Sequence, residues 1–246
     1  MYWNTADEIM AADPELAIIP VGSIEQHGPH MPVMTDWAVA SELGKRVQAK
    51  LGGFLLPALP VSTCREQMGK KGAVWMEPPT FYNMMCDIVL SLKEQGFKKV
   101  LILQCHGGIF IMTPIVRDLN AKYNPDLMVA LFDPIAIWPR LCREGITEDT
   151  AELHAGEGET SMMLAIAPET VHMDRAVDFV PDVPRNYLNY GGVLRHCPAG
   201  VWGRATLGAA DKGERMLART AEIAAEEAEK AFAFMRAKEK LNYSSF

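Results

Sequence analysis

The features of a membrane, secreted or nucleic-acid-binding protein are missing from this sequence. No apolar run reaches the roughly eighteen residues a spanning helix needs, so no membrane partner is expected. There is no basic excess: the net charge is -7, which argues against binding a phosphate backbone and against a nucleic-acid partner. The cysteines (Cys64, Cys86, Cys105, Cys142 and Cys197) are odd in number, widely spaced and without a Cys-x-x-Cys pair. That pattern excludes a disulfide framework or a zinc knuckle and leaves scattered buried thiols. Residues 1–8 are polar and acidic, without the basic start and apolar stretch of a secretory signal, so a cytoplasmic location is expected. No repeat or low-complexity linker divides the 246 residues, a length that suits one α/β domain spanning 1–246. A Gly-x-Ser-x-Gly nucleophile elbow is absent too, since Val21-Gly22-Ser23-Ile24-Glu25 has no second glycine.

What remains is an alternation of short apolar runs and helix-like stretches. Leu16–Val21, 54–59, Lys99–Gln104 and 127–132 read as strands. Residues 37–51 read as a helix stopped by Gly52-Gly53. A second helix is expected over 80–95, with Thr80 as cap and Gly96 past its end, and a third over 113–123, with Thr113 as cap and Pro114 in the first turn. A short Met-rich helix follows at 157–167 and a long one at 212–240. Strand–helix alternation implies a layered α/β/α domain with a mostly parallel sheet. The segment 174–208, broken by Pro181, Pro184, Gly191 and Gly192, reads as a lid or an intersubunit segment.

Three clusters carry chemistry. Glu25, His27 and Asp36 lie in a Gly/Pro-broken loop after the first strand. Gln104-Cys105-His106-Gly107-Gly108 ends the strand Lys99–Gln104, where open parallel sheets place function. His154-Ala-Gly-Glu157-Gly-Glu159-Thr-Ser161 precedes the Met-rich helix. Carboxylate and imidazole groups suit zinc, manganese or iron, and one carboxylate can bridge two ions. Such a pair generates a hydroxide nucleophile near neutral pH and polarises the bond under attack. Taken singly, each cluster has a plainer reading: a surface pair, a tight turn, or charges favoured in a first helical turn.

The stretch Pro20-Val-Gly-Ser-Ile-Glu-Gln-His-Gly-Pro-His resembles the N-terminal signature of the creatininase (creatinine amidohydrolase) family. The His154–Ser161 stretch, Gly200-Val-Trp-Gly203 and Ala209-Ala-Asp-Lys-Gly213 are similar to its later motifs, so the resemblance runs from about residue 16 to residue 217. It implies a compact α/β fold, a hexamer or other homo-oligomer, and a metal-dependent hydrolase for a small-molecule substrate. It also implies that two divalent ions (zinc, manganese or iron) are bound by Glu25, His27, Asp36 and His106, with Asp36 as the bridge. The family's namesake takes a further ligand from a glutamate two residues after the His106 equivalent. Here that position is Gly108, and members with His-Gly-Gly take the ligand from the position of Glu159. His154 matches the catalytic histidine, and Glu157 is carried beside it as an assisting carboxylate or a solvated helix-start charge.

The implied reaction is attack by a metal-bridging hydroxide on a carbonyl of a small cyclic amide or formamide. The tryptophans that enclose creatinine in the namesake have no counterparts at Asp133 and Thr150, and Asn-Gly-His is replaced by Gln104-Cys105-His106, which counts against creatinine itself. Two alternatives stay open: hydrolytic C–C opening of an oxidised cyclic polyol such as a dehydro-inosose, and a metal-stabilised binding protein without turnover. His30 is a candidate for orienting a ligand, Asp133 for lining the site, and Arg65 and Glu66 for touching substrate.

Overall fold

In the computed structural model, which describes residues 1–237, four parallel strands form the central sheet: β1 (Leu16–Val21), β2 (Phe54–Leu55), β3 (Lys99–Gln104) and β4 (Met128–Phe132). Their order is β2-β1-β3-β4, and β1 pairs with β3 from Leu16↔Lys99 to Val21↔Gln104. Successive side chains of a strand point to opposite faces. Ala17, Ile19, Val21, Val100 and Ile102 therefore enter one core, and Ile18, Leu101 and Leu103 enter the other. Burial on both faces explains why these strands are continuous apolar runs rather than alternating ones.

The helices are α1 (Ala6–Ala12), α2 (Thr35–Leu51), α3 (Pro78–Glu94), α4 (Met112–Tyr123), α5 (Trp138–Arg143), α6 (Glu157–Ile166), α7 (Val193–His196) and α8 (Ala210–Ala237). Phe81, Met85, Val89 and Leu92 of α3 pack with Ile115 and Leu119 of α4 on one face of the sheet. Leu43 and Val47 of α2, Met162 and Met163 of α6 and Leu217, Ile223 and Phe232 of α8 cover the other. This is the expected layered α/β/α arrangement. Among the described residues no helix is long and apolar enough to cross a membrane.

Several boundaries differ from the sequence reading. The strand expected over 54–59 is regular only at Phe54–Leu55, with Leu59 returning as an isolated bridge to Val21. Pro57 and Pro60 flank that bridge and have no N–H to give a ladder. Neither Thr80 nor Thr113 is a cap. α3 starts on Pro78 after Glu77, and α4 starts on Met112 after Ile111. A proline in the first turn loses no hydrogen bond, so both helices extend past the residues expected to cap them. α8 starts at Ala210, and the expected residues 238–240 lie outside the described residues. Within 174–208 a two-stranded ribbon forms, β5 (Asp178–Phe179) pairing antiparallel with β6 (Gly203–Arg204), and α7 and a 3-10 turn at Arg185–Tyr190 lie between them.

The sheet order places the crevice between β1 and β3. From β1 the chain passes to β2 on one side, and β3 lies on the other. Loops leaving the carboxyl ends of two strands diverge at such a point and leave room for a ligand.

Candidate metal centre

The loop after β1 folds back onto the start of α2. A Cβ at Gly22 would lie 2.6 Å from Trp37 N and 2.7 Å from the Asp36 carbonyl carbon, so only glycine allows the approach. Asp36, in the first turn of α2, is thereby brought beside the loop that carries Glu25 and His27. Gly28 turns that loop with φ +66. Ser23 Oγ donates to Glu25 Oε2 at 2.6 Å, and His27 Nδ1 donates to the Glu25 carbonyl at 3.2 Å. The second bond leaves His27 Nε2 facing inward, 3.1 Å from Asp36 Oδ1 and 3.7 Å from Glu159 Oε2.

His106 arrives from the end of β3. Its Nδ1 lies 3.1 Å from Asp36 Oδ2, and its Nε2 lies 3.2 Å from Glu25 Oε2. The two oxygens of Asp36 thus face two different imidazoles. Glu25, Asp36 and His106 form one set of side chains that could hold an ion; His27, Asp36 and Glu159 form a second. Asp36 is common to both, the arrangement required of a bridging carboxylate. A third set, Glu25, His27 and His154, overlaps them.

The electrostatics fit a cation. All five candidate ligands are buried. Glu25 Oε1 and Asp36 Oδ2 have no hydrogen-bond partner, although His106 Nδ1 lies 3.1 Å from the latter. Buried carboxylate oxygens left unpaired are costly. A metal ion is the partner their chemistry suits. In the metal-free protein, protons stand in. Burial opposes a charged His27, but Asp36, Glu159 and Glu25 outweigh it and raise its pKa to about 10. Burial likewise opposes a charged His106, which Glu25, Asp36 and Glu66 hold well above the ordinary range. Burial pushes the Glu25 and Glu159 carboxyls up. For Asp36, burial is overcome by His27 and His106, which hold its carboxyl below the ordinary range.

His154 and Glu159 come from the start of α6. Ala155, between them, takes a left-handed conformation (φ 53), uncommon for a residue with a side chain. Its N–H donates to Glu159 Oε2 at 2.5 Å. The Glu152 carboxylate caps the helix by accepting from Gly158 N at 2.8 Å. His154 Nε2 donates to the Gln26 carbonyl at 2.8 Å, and its Nδ1 lies 3.7 Å from Glu25 Oε1. Burial and the neighbouring His27 push the His154 pKa well below its ordinary value, so the ring is neutral.

Glu157 stands apart from this group. It is fully buried, with Oε2 accepting from Glu148 N (2.8 Å) and Asp149 N (2.6 Å) and Oε1 paired with Lys212 Nζ (2.6 Å). These contacts correct both sequence readings: Glu157 is neither a solvated charge nor directed at the centre, and it ties α6 to α8. Asp133 is also corrected. Its carboxylate accepts from Ile135 N at 2.9 Å and caps a 3-10 turn instead of lining the cavity. His30 Nε2 pairs with Thr160 Oγ1 at 2.9 Å, next in sequence to Glu159, and not with a candidate ligand. Arg65 turns outward to Glu77, whereas Glu66 turns inward, its Oε1 3.0 Å from His106 Nε2. Gln67 is buried and accepts from Gln26 Nε2 at 2.8 Å. Glu66, expected as a substrate contact, stands beside His106 on the cavity wall, whereas no periodicity or motif marks Gln67, which long-range contacts alone bring in.

A cavity of about 390 Å³ opens over His106, His154 and Glu159. Glu66, Arg185 and Asn189 give it polar walls, and among the described residues no tryptophan lines it. The 185–190 turn of the loop-rich segment forms one side.

A family model described as creatininase, creatinine amidohydrolase, matches residues 1–228. The chain is 28% identical over 224 residues to a 3-dehydro-scyllo-inosose hydrolase of Thermotoga maritima, covering 81% of this chain and 72% of that protein. It is also 28% identical over 235 residues to creatinine amidohydrolase of Pseudomonas putida, covering 88% and 90%. A mycofactocin precursor peptide peptidase of Mycobacterium ulcerans is 27% identical, covering 87% and 84%. Among solved structures, a creatinine amidohydrolase (creatininase) superposes with a TM-score of 0.78 at 24% identity, over 94% of this chain and 97% of that one. At that identity the likeness speaks for the fold.

Proposed function

The chain belongs to the creatininase family and is a hydrolase, and from that premise we propose that Glu25, His27, Asp36, His106 and Glu159 bind two divalent metal ions for hydrolysis of a small cyclic amide or formamide. The observation that carries this reading is Asp36, whose two oxygens face two separate three-residue sets, Oδ1 toward His27 and the buried Oδ2 toward His106. Family membership sets aside a binding protein without turnover. Zinc, manganese and iron(II) all suit the donor set.

Bound ions would supply Lewis acidity and a water nucleophile near neutral pH. The protein's own residues do the rest. His27 is held in one tautomer by the Glu25 carbonyl, so Nε2 is free to bind. His154 is fixed through Nε2 by the Gln26 carbonyl and kept neutral by burial. It can take up a proton and hand it to a leaving nitrogen, the role of a general acid–base group. Leu188 and Val193 give the cavity apolar surface that limits water.

A second reading, C–C ring opening of an oxidised cyclic polyol, is favoured by two observations. The cavity wall carries Glu66, Arg185 and Asn189, hydrogen-bonding groups suited to ring hydroxyls, and a 28% identical relative is named for an inosose. Creatinine itself is disfavoured, because among the described residues no tryptophan lines the cavity. The zinc- or manganese-loaded protein should be offered a panel of cyclic amides, formamides and inososes, with product analysis. New amine or formate from the first two classes supports the primary reading. Turnover of inososes alone would transfer the case to C–C cleavage, and no turnover of any class would sink both.

A further inference from the structure

Glu66 reaches the centre from a 3-10 turn, Arg65–Gln67, that belongs to none of the three clusters read from sequence. Its Oε1 lies 3.0 Å from His106 Nε2, and Glu25 Oε2 lies 3.2 Å from the same nitrogen. Two carboxylates converging on one imidazole nitrogen compete for a single N–H. Glu66 lies outside the three sets whose ligand atoms already converge, so binding an ion would draw its carboxylate inward from this nitrogen. The Glu66 side chain is 19% exposed, so most of it has been withdrawn from water to reach this position.

Gly108 supplies an independent observation. Its φ is not in the left-handed region, so its backbone does not require glycine. The requirement is steric. A Cβ at position 108 would overlap both Glu66 Oε1 and His106 Nε2. Any side chain at 108 would therefore displace the Glu66 carboxylate from His106. The two segments are also tied together, Thr63 Oγ1 donating to the Gly108 carbonyl at 3.2 Å. Glycine at 108 and glutamate at 66 form a matched pair: one vacates the space beside His106 and the other fills it with a carboxylate.

We propose that Glu66 is a further ligand of the ion on the His106 side, added to Glu25, Asp36 and His106. The assignment rests on the two-ion reading above. It makes the two halves of the centre unequal, the His106 side holding Glu25, Asp36 and Glu66 against Asp36 and Glu159 beside His27. Losing even a partner outside the coordination sphere costs about 10- to 100-fold in metal affinity, so loss of a bound carboxylate should cost at least that much.

The test is titration of the metal-stripped full chain with manganese(II) and with cobalt(II), whose visible absorption reports coordination. Glu66→Gln preserves shape and removes the charge. It should weaken one ion at least about tenfold, leave the other within about twofold, and alter the cobalt absorption of one site only. Glu66→Asp, which withdraws the carboxylate by one methylene, should fall between Gln and wild type. Unchanged affinity for both ions with a raised KM would overturn the assignment and leave Glu66 as a substrate contact. Equal weakening of both ions would overturn it as well, since general loss of negative charge would produce that. Failure of the wild-type chain to bind two ions would instead remove the two-ion reading.

Discussion

Glu157 and Glu159 show what adjacent residues of one motif can and cannot share. Two positions apart on an α-helix, they point about 200° from each other, so at most one can face the crevice. Glu159 does, and Glu157 pairs with Lys212 on the other side. Glu157→Ala should cost about 2 kcal/mol of stability, mainly through the two unpaired amides of Glu148 and Asp149, since Lys212 keeps Glu148 and the Leu207 carbonyl, and should leave metal content unchanged. Denaturant melts with metal analysis check this; lost activity in a protein of wild-type stability would restore a catalytic role. His154→Ala should lower kcat about 10²- to 10⁴-fold while both ions stay bound. Kinetics on the loaded enzyme decide, and loss of metal would place His154 among the ligands. Proton linkage gives a third expectation. His27 has a pKa near 10 in the metal-free protein, above its ordinary 6.5, so its contribution is complete below about pH 6.5 and is lost as pH rises toward 10. Glu25, also raised, acts in the same direction. The melting temperature of the metal-free chain should therefore fall across that interval, and bound metal, which replaces those protons, should flatten the fall. A flat metal-free profile would contradict the arrangement. Glu25, His27 and Asp36 were legible in the sequence because they are close along the chain. Glu66 was legible only as a possible substrate contact, because its place beside His106 is set across 40 positions of chain.

Among the elements, β1 and β3 were legible in full, since a strand buried on both faces is an uninterrupted apolar run. β2 was not, because prolines shorten its ladder without making its composition less apolar. The short helices α1, α5 and α7 gave too few turns for a periodic signal. The pairing of α6 with α8 depends on Gly213. A Cβ there would overlap the Ser161 carbonyl, which is backbone and cannot swing away. Gly213→Ala should push the helices apart at a cost of about 1–3 kcal/mol and disturb Glu159, half a turn from Ser161. A lower denaturation midpoint, accompanied by weaker metal binding, is the expected result. An unchanged midpoint would show that the helices do not need this approach.

On the scale of the molecule, the layered α/β/α fold places loops from β1 and β3 around one crevice, and α6 closes it from the side. The alternation of strands and helices made that architecture readable. From the segment 174–208, Arg185 and Leu188 line the cavity, and its role as a lid or intersubunit segment is a proposal. Oligomerisation, implied by the family resemblance, has a surface to explain: among the described residues α1 buries none of its own, and Trp3 and Met10 are 83% and 78% exposed. Light scattering should report a multiple of 27.2 kDa. The central claim concerns how many ions the chain holds and through which residue they are joined. Elemental analysis of the wild-type protein and Asp36→Ala, each checked for fold by circular dichroism, tests it most directly. About two ions per wild-type chain and loss of both in a folded Asp36→Ala are expected, because one bridging carboxylate serves both. Wild-type metal content in Asp36→Ala would contradict the account.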